Sequence, residues 1–155
     1  MKIERNTREG VLACNATAMR KASRRVTQLY DDALAPTGLR STQFAILAEL
    51  HELADKPPTL AELAAALVID RSALGHNLRP LERDGLITLQ ESPKDRRRRH
   101  IVMTEQGRAL LQQALGLWMA AQDRFHAVFG RREAEVLRNA LLDIAYDDRL
   151  DTLKD

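Results

Sequence analysis

Residues 59–104 read TLAELAAALVIDRSALGHNLRPLERDGLITLQESPKDRRRRHIVMT. Thr59-Leu-Ala-Glu62 is a capping box, in which a hydroxyl and a carboxylate three residues apart each satisfy an amide left unpaired at a helix start. A short helix over 60–67 follows. Asp70 is placed to cap a further helix over 71–84, with Val68 and Ile69 as the turn between them. This is the spacing of a helix-turn-helix. Gly85 ends the second helix, and residues 86–90 and 100–104 carry the β-branched or alternating residues of strands that pair as a hairpin. The intervening ESPKDRRRR is too long for a tight turn and strongly basic, so the hairpin tip projects as a charged wing.

Working outward, residues 11–34 place Val11, Ala16, Met19, Ala22, Val26, Leu29 and Ala33 at helical spacing. This first helix stops where Pro36 disfavours helical geometry for Ala35 and Gly38 supplies a permissive backbone. Ser41 or Thr42 can cap a second helix carrying Phe44, Ile46, Leu47, Leu50 and Leu53, which runs out before Lys56-Pro57-Pro58. Beyond the wing, Thr104 can cap a long helix with Leu110, Ala114, Leu117, Ala121, Phe125 and Val128 on one stripe, interrupted at Gly130. A sixth helix over 131–147 carries Val136, Leu137, Ala140, Leu141 and Ile144. The expected fold is mainly α with a small β-hairpin wing: a single domain over 1–155, in which a winged helix-turn-helix lobe, 41–104, lies between terminal helices 11–34 and 105–147. Long amphipathic helices at both ends must bury their stripes. In a chain this small the expected cover is a second copy, giving a homodimer; packing of the first helix on the fifth and sixth alone is the alternative.

The chain has 155 residues, 45% hydrophobic and 30% charged, which suits a globular protein able to bury its own core. Cys14 is the single cysteine, so no intramolecular disulfide forms and a small buried hydrophobe is expected there. The N-terminus is too charged for a signal peptide, and no apolar run approaches the roughly 20 residues that span a bilayer. These features predict a cytoplasmic protein without membrane contact. His51, His76, His100 and His126 make no metal pattern, and neither a glycine-rich phosphate loop nor a nucleophile with base and orienter can be assembled. Catalysis, metal and cofactor are accordingly not expected. The net charge is only +2, yet residues 71–100 hold eight basic residues against four acidic ones. Such local asymmetry marks one polyanion-facing surface.

In the helix over 71–84, Leu74, Leu78 and Leu81 share the face expected to point inward. Ser72, His76, Arg79 and Arg83 share the outer one. Hydrogen-bonding and cationic groups on an exposed helix face suit the major groove, where base edges present distinguishable patterns. Ser72 and His76 are assigned to bases, Arg71 and Arg79 to bases or phosphate, and Arg83 and Thr59 to phosphate. Lys94, Arg96, Arg97, Arg98 and Arg99 form a wing tip suited to a narrow minor groove. The bland alternative is a solvated polar face and a solvated charge run. Pro80 removes a hydrogen bond to the carbonyl of His76, at about 3 kcal/mol unless the helix bends there.

The order of elements, with ELAAALVIDRSALGHNLRPLERDGLI and then SPKDRRRRHIVMTEQG, closely resembles the MarR family of bacterial regulators over roughly 11–147. Its wing motif, D-x-R followed by five residues and L-T, occurs here as Asp95, Arg97, Met103 and Thr104, with methionine in place of leucine. The resemblance implies a dimer that binds a pseudo-palindromic operator in double-stranded DNA, with recognition helices ~34 Å apart in successive major grooves. It implies a repressor released by a small aromatic or phenolic effector, and a wing salt bridge between Asp95 and Arg97. Arg20, Phe44, His51 and Trp118 lie on the helices that would line the effector cleft, although Phe44 and Trp118 also suit plain core. In a peroxide-sensing branch of the family a reactive cysteine stands in the first helix beside tyrosines of the second. Cys14 falls two residues early, about 200° around a helix, and Ser41 and Phe44 stand where those tyrosines would be. Thiol-based redox sensing and a winged-helix protein-interaction module remain the alternatives.

Overall fold

The computed structural model describes residues 13–151. The elements are α1 (Asn15–Leu34), α2 (Ser41–Glu52), α3 (Leu60–Ala66), α4 (Arg71–Arg83), β1 (Ile87–Glu91), β2 (Arg99–Met103), α5 (Glu105–Phe129) and α6 (Arg131–Ala145). Single turns of 3-10 helix follow α1 (Ala35–Thr37) and α6 (Asp148–Leu150). Val11 lies outside the described residues.

Most helix starts follow the sequence reading. Thr59 Oγ1 accepts the Glu62 amide while Glu62 Oε2 accepts the Thr59 amide. Asp70 caps α4 through the Ala73 amide at 2.8 Å, and Thr104 caps α5 through the Gly107 amide at 3.0 Å. α2 is different: neither Ser41 nor Thr42 caps it. Gln43 Oε1 accepts the Arg40 amide, and Asp31 of α1 accepts the Ser41 amide at 2.7 Å. A carboxylate from ten residues upstream thus replaces a local cap and fixes α2 against α1.

The helix-turn-helix turn is tight because Ile69 donates to Ala64 O at 3.0 Å and Val68 to Ala65 O. That closure places Val68 in the left-handed region at φ 50°, where a β-branched side chain is strained. Gly85, at φ 73°, makes the equivalent turn after α4 without strain. α4 continues through Pro80 to Arg83 as one helix.

β1 and β2 pair antiparallel, with Ile87 opposite Met103 and Glu91 opposite Arg99. Both strands therefore lie one residue nearer the tip than expected, and the wing loop shrinks to residues 92–98. A third piece of sheet was not foreseen. Ile101 donates to Pro58 O at 2.9 Å, Thr59 bridges His100, and His100 Nδ1 lies 2.8 Å from Pro57 O. Since a carbonyl only accepts, that ring nitrogen carries the proton. The Pro57-Pro58 segment, read only as a helix terminator, also fastens the wing to the lobe.

The core gathers Leu34, Phe44, Ile46, Leu47, Leu50, Leu63, Leu74, Leu78, Leu81, Leu86, Ile87, Ile101, Met103, Leu111 and Ala114 from every element but α6. α6 folds back on α5, and only its Ala134 is buried. Replacing the exposed Val68 by glycine removes the left-handed strain at little loss of packing, and is expected to stabilise the protein by about 1 kcal/mol. Thermal unfolding should show a Tm higher by roughly 3 °C; an unchanged or lower Tm would mean that the turn carries no such strain.

Candidate nucleic-acid interface

α4 presents two unlike faces. Leu74, Leu78 and Leu81 are buried, whereas Arg71, Ser72, His76, Arg79 and Arg83 are all exposed. The burial of the leucines fixes the rotation of the helix, and that rotation turns the polar row outward. Asn77 is held back by donating to Ala73 O at 2.9 Å. A side chain at Gly75 would meet nothing within 4 Å, so packing does not demand a glycine there. Arg83 Nε lies 3.2 Å from the neighbouring Asp84; the pair is exposed and weak.

The wing loop is organised by Asp95 and Ser92. Asp95 Oδ1 accepts the Arg97 amide at 2.9 Å, and Ser92 Oγ accepts the Lys94 amide. Ser92 and Arg98 close the loop, the Ser92 amide donating to Arg98 O at 2.9 Å. The ion pair expected between Asp95 and Arg97 is not formed. Asp95 Oδ2 faces Arg98 Nε at 3.9 Å instead, while Oδ1 is taken by the Arg97 amide. Lys94, Arg96, Arg97, Arg98 and Arg99 are all exposed. β1 packs on α4, so the cationic tip and the polar helix face belong to one structural unit.

Thr59 stands differently from its expected phosphate role. Its amide is taken by Glu62, whose carboxyl the Thr59 amide and hydroxyl hold below the usual carboxylate range. A negative charge already occupies that helix start.

The expected effector residues separate. Phe44 and Trp118 stack, with ring centroids 5.9 Å apart and planes 16° from parallel. Both line a cleft of about 400 Å³ with Tyr30, Leu34, Ala48, Glu49, Glu52 and Leu67. Arg20 and His51 are exposed and do not line it. Arg20 is ten residues before Tyr30, about 15 Å along α1, and His51, although helical register puts it on the Phe44 side of α2, stays in solvent. Glu49 and Glu52, which the sequence reading passed over, stand in the cleft instead; their helical spacing from Phe44 and Ala45 was the available signal.

A second groove, about 750 Å³, opens between α1, α5 and α6. Ala18, Met19, Ala22, Val26, Phe125, Leu137, Leu141 and Leu142 line it. Along α6, Val136, Leu137, Leu141, Leu142 and Ile144 remain between 38% and 63% exposed. The Tyr30 hydroxyl donates to Gln122 across the inner end of this groove; burial pushes the Tyr30 phenol up, against the lowering effect of Arg138. At the far end of α6 the Tyr146 hydroxyl donates to Ala66 O at 2.7 Å, which ties the C-terminal helix to the end of α3.

Cys14 is exposed at the start of α1 and is not the buried hydrophobe expected. The Thr17 hydroxyl and amide, with a smaller contribution from Arg20, hold its thiol below the ordinary thiol value. Among the described residues there is no group of three or more metal-ligating side chains, and no helix is long and apolar enough to cross a membrane.

Residues 37–98 match the family model of the MarR family. Over most of its length the chain is similar to the M. tuberculosis transcriptional regulator MosR in complex with DNA: 35% identity, 85% of this chain and 93% of that one, TM-score 0.76. It is similar to the transcriptional repressor CouR bound to a 23-mer DNA duplex, with 30% identity over 90% and 99% of the two chains and a TM-score of 0.78. CouR from Rhodococcus jostii RHA1 bound to p-coumaroyl-CoA is 27% identical over 90% and 96%, with a TM-score of 0.74.

Because the thiolate is the reactive form, alkylation of Cys14 by iodoacetamide should rise with pH to a midpoint below the usual ~8.5. Thr17→Val removes the hydroxyl and should move that midpoint up. A midpoint at or above the ordinary value in the parent protein would overturn this assignment.

Proposed function

The chain belongs to the MarR family of transcriptional regulators, and from that premise we propose that it is a sequence-specific DNA-binding repressor acting as a homodimer in the cytoplasm. The observation that carries the reading is the exposed row Arg71, Ser72, His76 and Arg79 on α4, joined through β1 to a wing tip with five exposed cations. In this reading the lobe 41–104 docks on duplex DNA, with α4 in the major groove. Ser72 and His76 contact bases, Arg71 and Arg79 contact bases or phosphate, and Arg83 contacts phosphate. Lys94, Arg96, Arg97 and Arg99 follow the minor groove or its phosphates. Arg98, opposite Asp95, shapes the tip. DNA-bound MosR and CouR support the DNA partner, and ligand-bound CouR supports release by a small molecule. The effector is placed in the Phe44–Trp118 cleft between α1, α2, α3 and α5.

Selection of genomic fragments by the purified protein at physiological salt tests the reading. An inverted repeat bound about a thousandfold tighter than scrambled duplex is the expected result; binding without enrichment that vanishes at modest salt refutes it. On that repeat, Arg97→Ala should weaken binding to every duplex and flatten the logarithmic salt dependence by about one unit. His76→Ala should lower specific binding far more than nonspecific binding, and equal losses would remove its base-reading role.

The apolar groove between α1 and α6 is assigned to the second copy, with α1, α5 and α6 as the dimerisation helices. Leu137→Glu with Leu141→Glu places two charges on an exposed stripe. Sedimentation should then report a folded monomer whose affinity for the full repeat falls at least a hundredfold; a double variant that stayed dimeric would disprove the assignment. A thiol-responsive mode is the second reading, favoured by the exposure of Cys14 and its lowered pKa. Operator release by peroxide in the parent and not in Cys14→Ser is its signature.

A further inference from the structure

We propose that the Phe44–Trp118 cleft selects a small cationic aromatic ligand and rejects aromatic carboxylates. The inference rests on the placement of the effector in this cleft and adds the sign of its charge. The walls are two stacked rings, the Tyr30 ring and the aliphatic surface of Leu34, Ala45, Ala48 and Leu67. The volume, about 400 Å³, is that of a site for a small organic molecule.

The charged groups lining the cleft are both carboxylates, Glu49 and Glu52 of α2. α1 brings Tyr30 and Leu34, α3 brings Leu67 and α5 brings Trp118, all uncharged. Arg40 is drawn to Asp31 at 3.7 Å, Arg138 acts on the Tyr30 phenol from the second groove, and neither lines the cleft. Glu49 and Glu52 enter no side-chain hydrogen bond or ion pair among the described residues. Glu49 is half-buried beside the ring stack.

Two such carboxylates raise the energy of an entering anion and lower that of a cation, and partial burial strengthens both effects. The aromatic faces act in the same direction, because the negative face of an indole or phenol ring attracts a cation. The matching ligand is therefore a flat ring that extends the Phe44–Trp118 stack, carrying an ammonium or amidinium group toward Glu49 and Glu52. An aromatic acid would find no cation in the lining, since the fold keeps Arg20 and His51 out of the cleft.

Trp118 is the only tryptophan of the chain, so its fluorescence reports on the cleft directly. The full-length protein is titrated at constant ionic strength with benzyltrimethylammonium, with its uncharged carbon isostere neopentylbenzene, and with salicylate. The expected result is saturable quenching by the cation at least tenfold tighter than by either other probe. Glu49→Gln with Glu52→Gln should reduce that preference at least tenfold and leave the neutral probe unchanged. The exposed Glu52→Gln alone, which does not touch the core, should give a smaller loss in the same direction. Salicylate binding as tightly as the cation, a preference that survives the double substitution in folded protein, or no saturable quenching by any probe would each overturn the proposal. The titration uses the free protein, so it stands or falls separately from operator binding.

Discussion

Thr104 makes three hydrogen bonds where α4, β1 and α5 converge: its hydroxyl donates to Gly85 O at 2.6 Å and accepts the Gly107 amide, and its own amide donates to Leu86 O at 3.0 Å. One residue therefore caps α5 and holds the end of α4 with its side chain, and sets the first rung of the wing with its amide. The approach is close enough that a Cβ on Gly107 would lie 2.1 Å from Leu86 O. Backbone cannot retreat from such a contact, so position 107 admits only glycine at this spacing. Each bond is worth about 1 kcal/mol, but their meeting in one residue makes the junction rigid. A displacement of α5 has to move α4 and the wing with it.

That rigidity gives the regulator reading its mechanical content. A ligand that changed the spacing of α5 and α2 would act on α4 through this junction. Charge is sorted between the two surfaces. Cations gather on the wing and outer α4, and the two carboxylates of α2 lie in the cleft. In a protein of net charge +2 this separation gives each surface a field of definite sign. The Tyr146–Ala66 hydrogen bond adds a second tie, from the far end of α6 to the end of α3.

Much of the architecture was legible locally. The capping box of Thr59 and Glu62, the cap at Asp70, the stop at Gly85 and the leucines of α4 each depend on neighbours within one or two turns, and a periodic pattern reports such neighbours directly. The outward row of Ser72, His76, Arg79 and Arg83 followed because three buried leucines leave a helix one way to face. The cap of α2 could not be read in this way, since Asp31 reaches it from another helix. Nor could the anchoring of His100 to Pro57, which joins segments forty-three residues apart.

Periodicity, capping and local charge sufficed for the element order, the rotation of α4, the basic wing and the existence of the apolar stripes on the terminal helices. Tertiary structure alone decided which residues share the cleft. It brought Phe44 and Trp118 together from α2 and α5, left Arg20 and His51 outside, and set Glu49 and Glu52 within. It also exposed Cys14 and turned Asp95 toward Arg98. Helix register tells which side chains lie on a face; only packing tells which two faces meet, and the charge of a site is a property of the meeting.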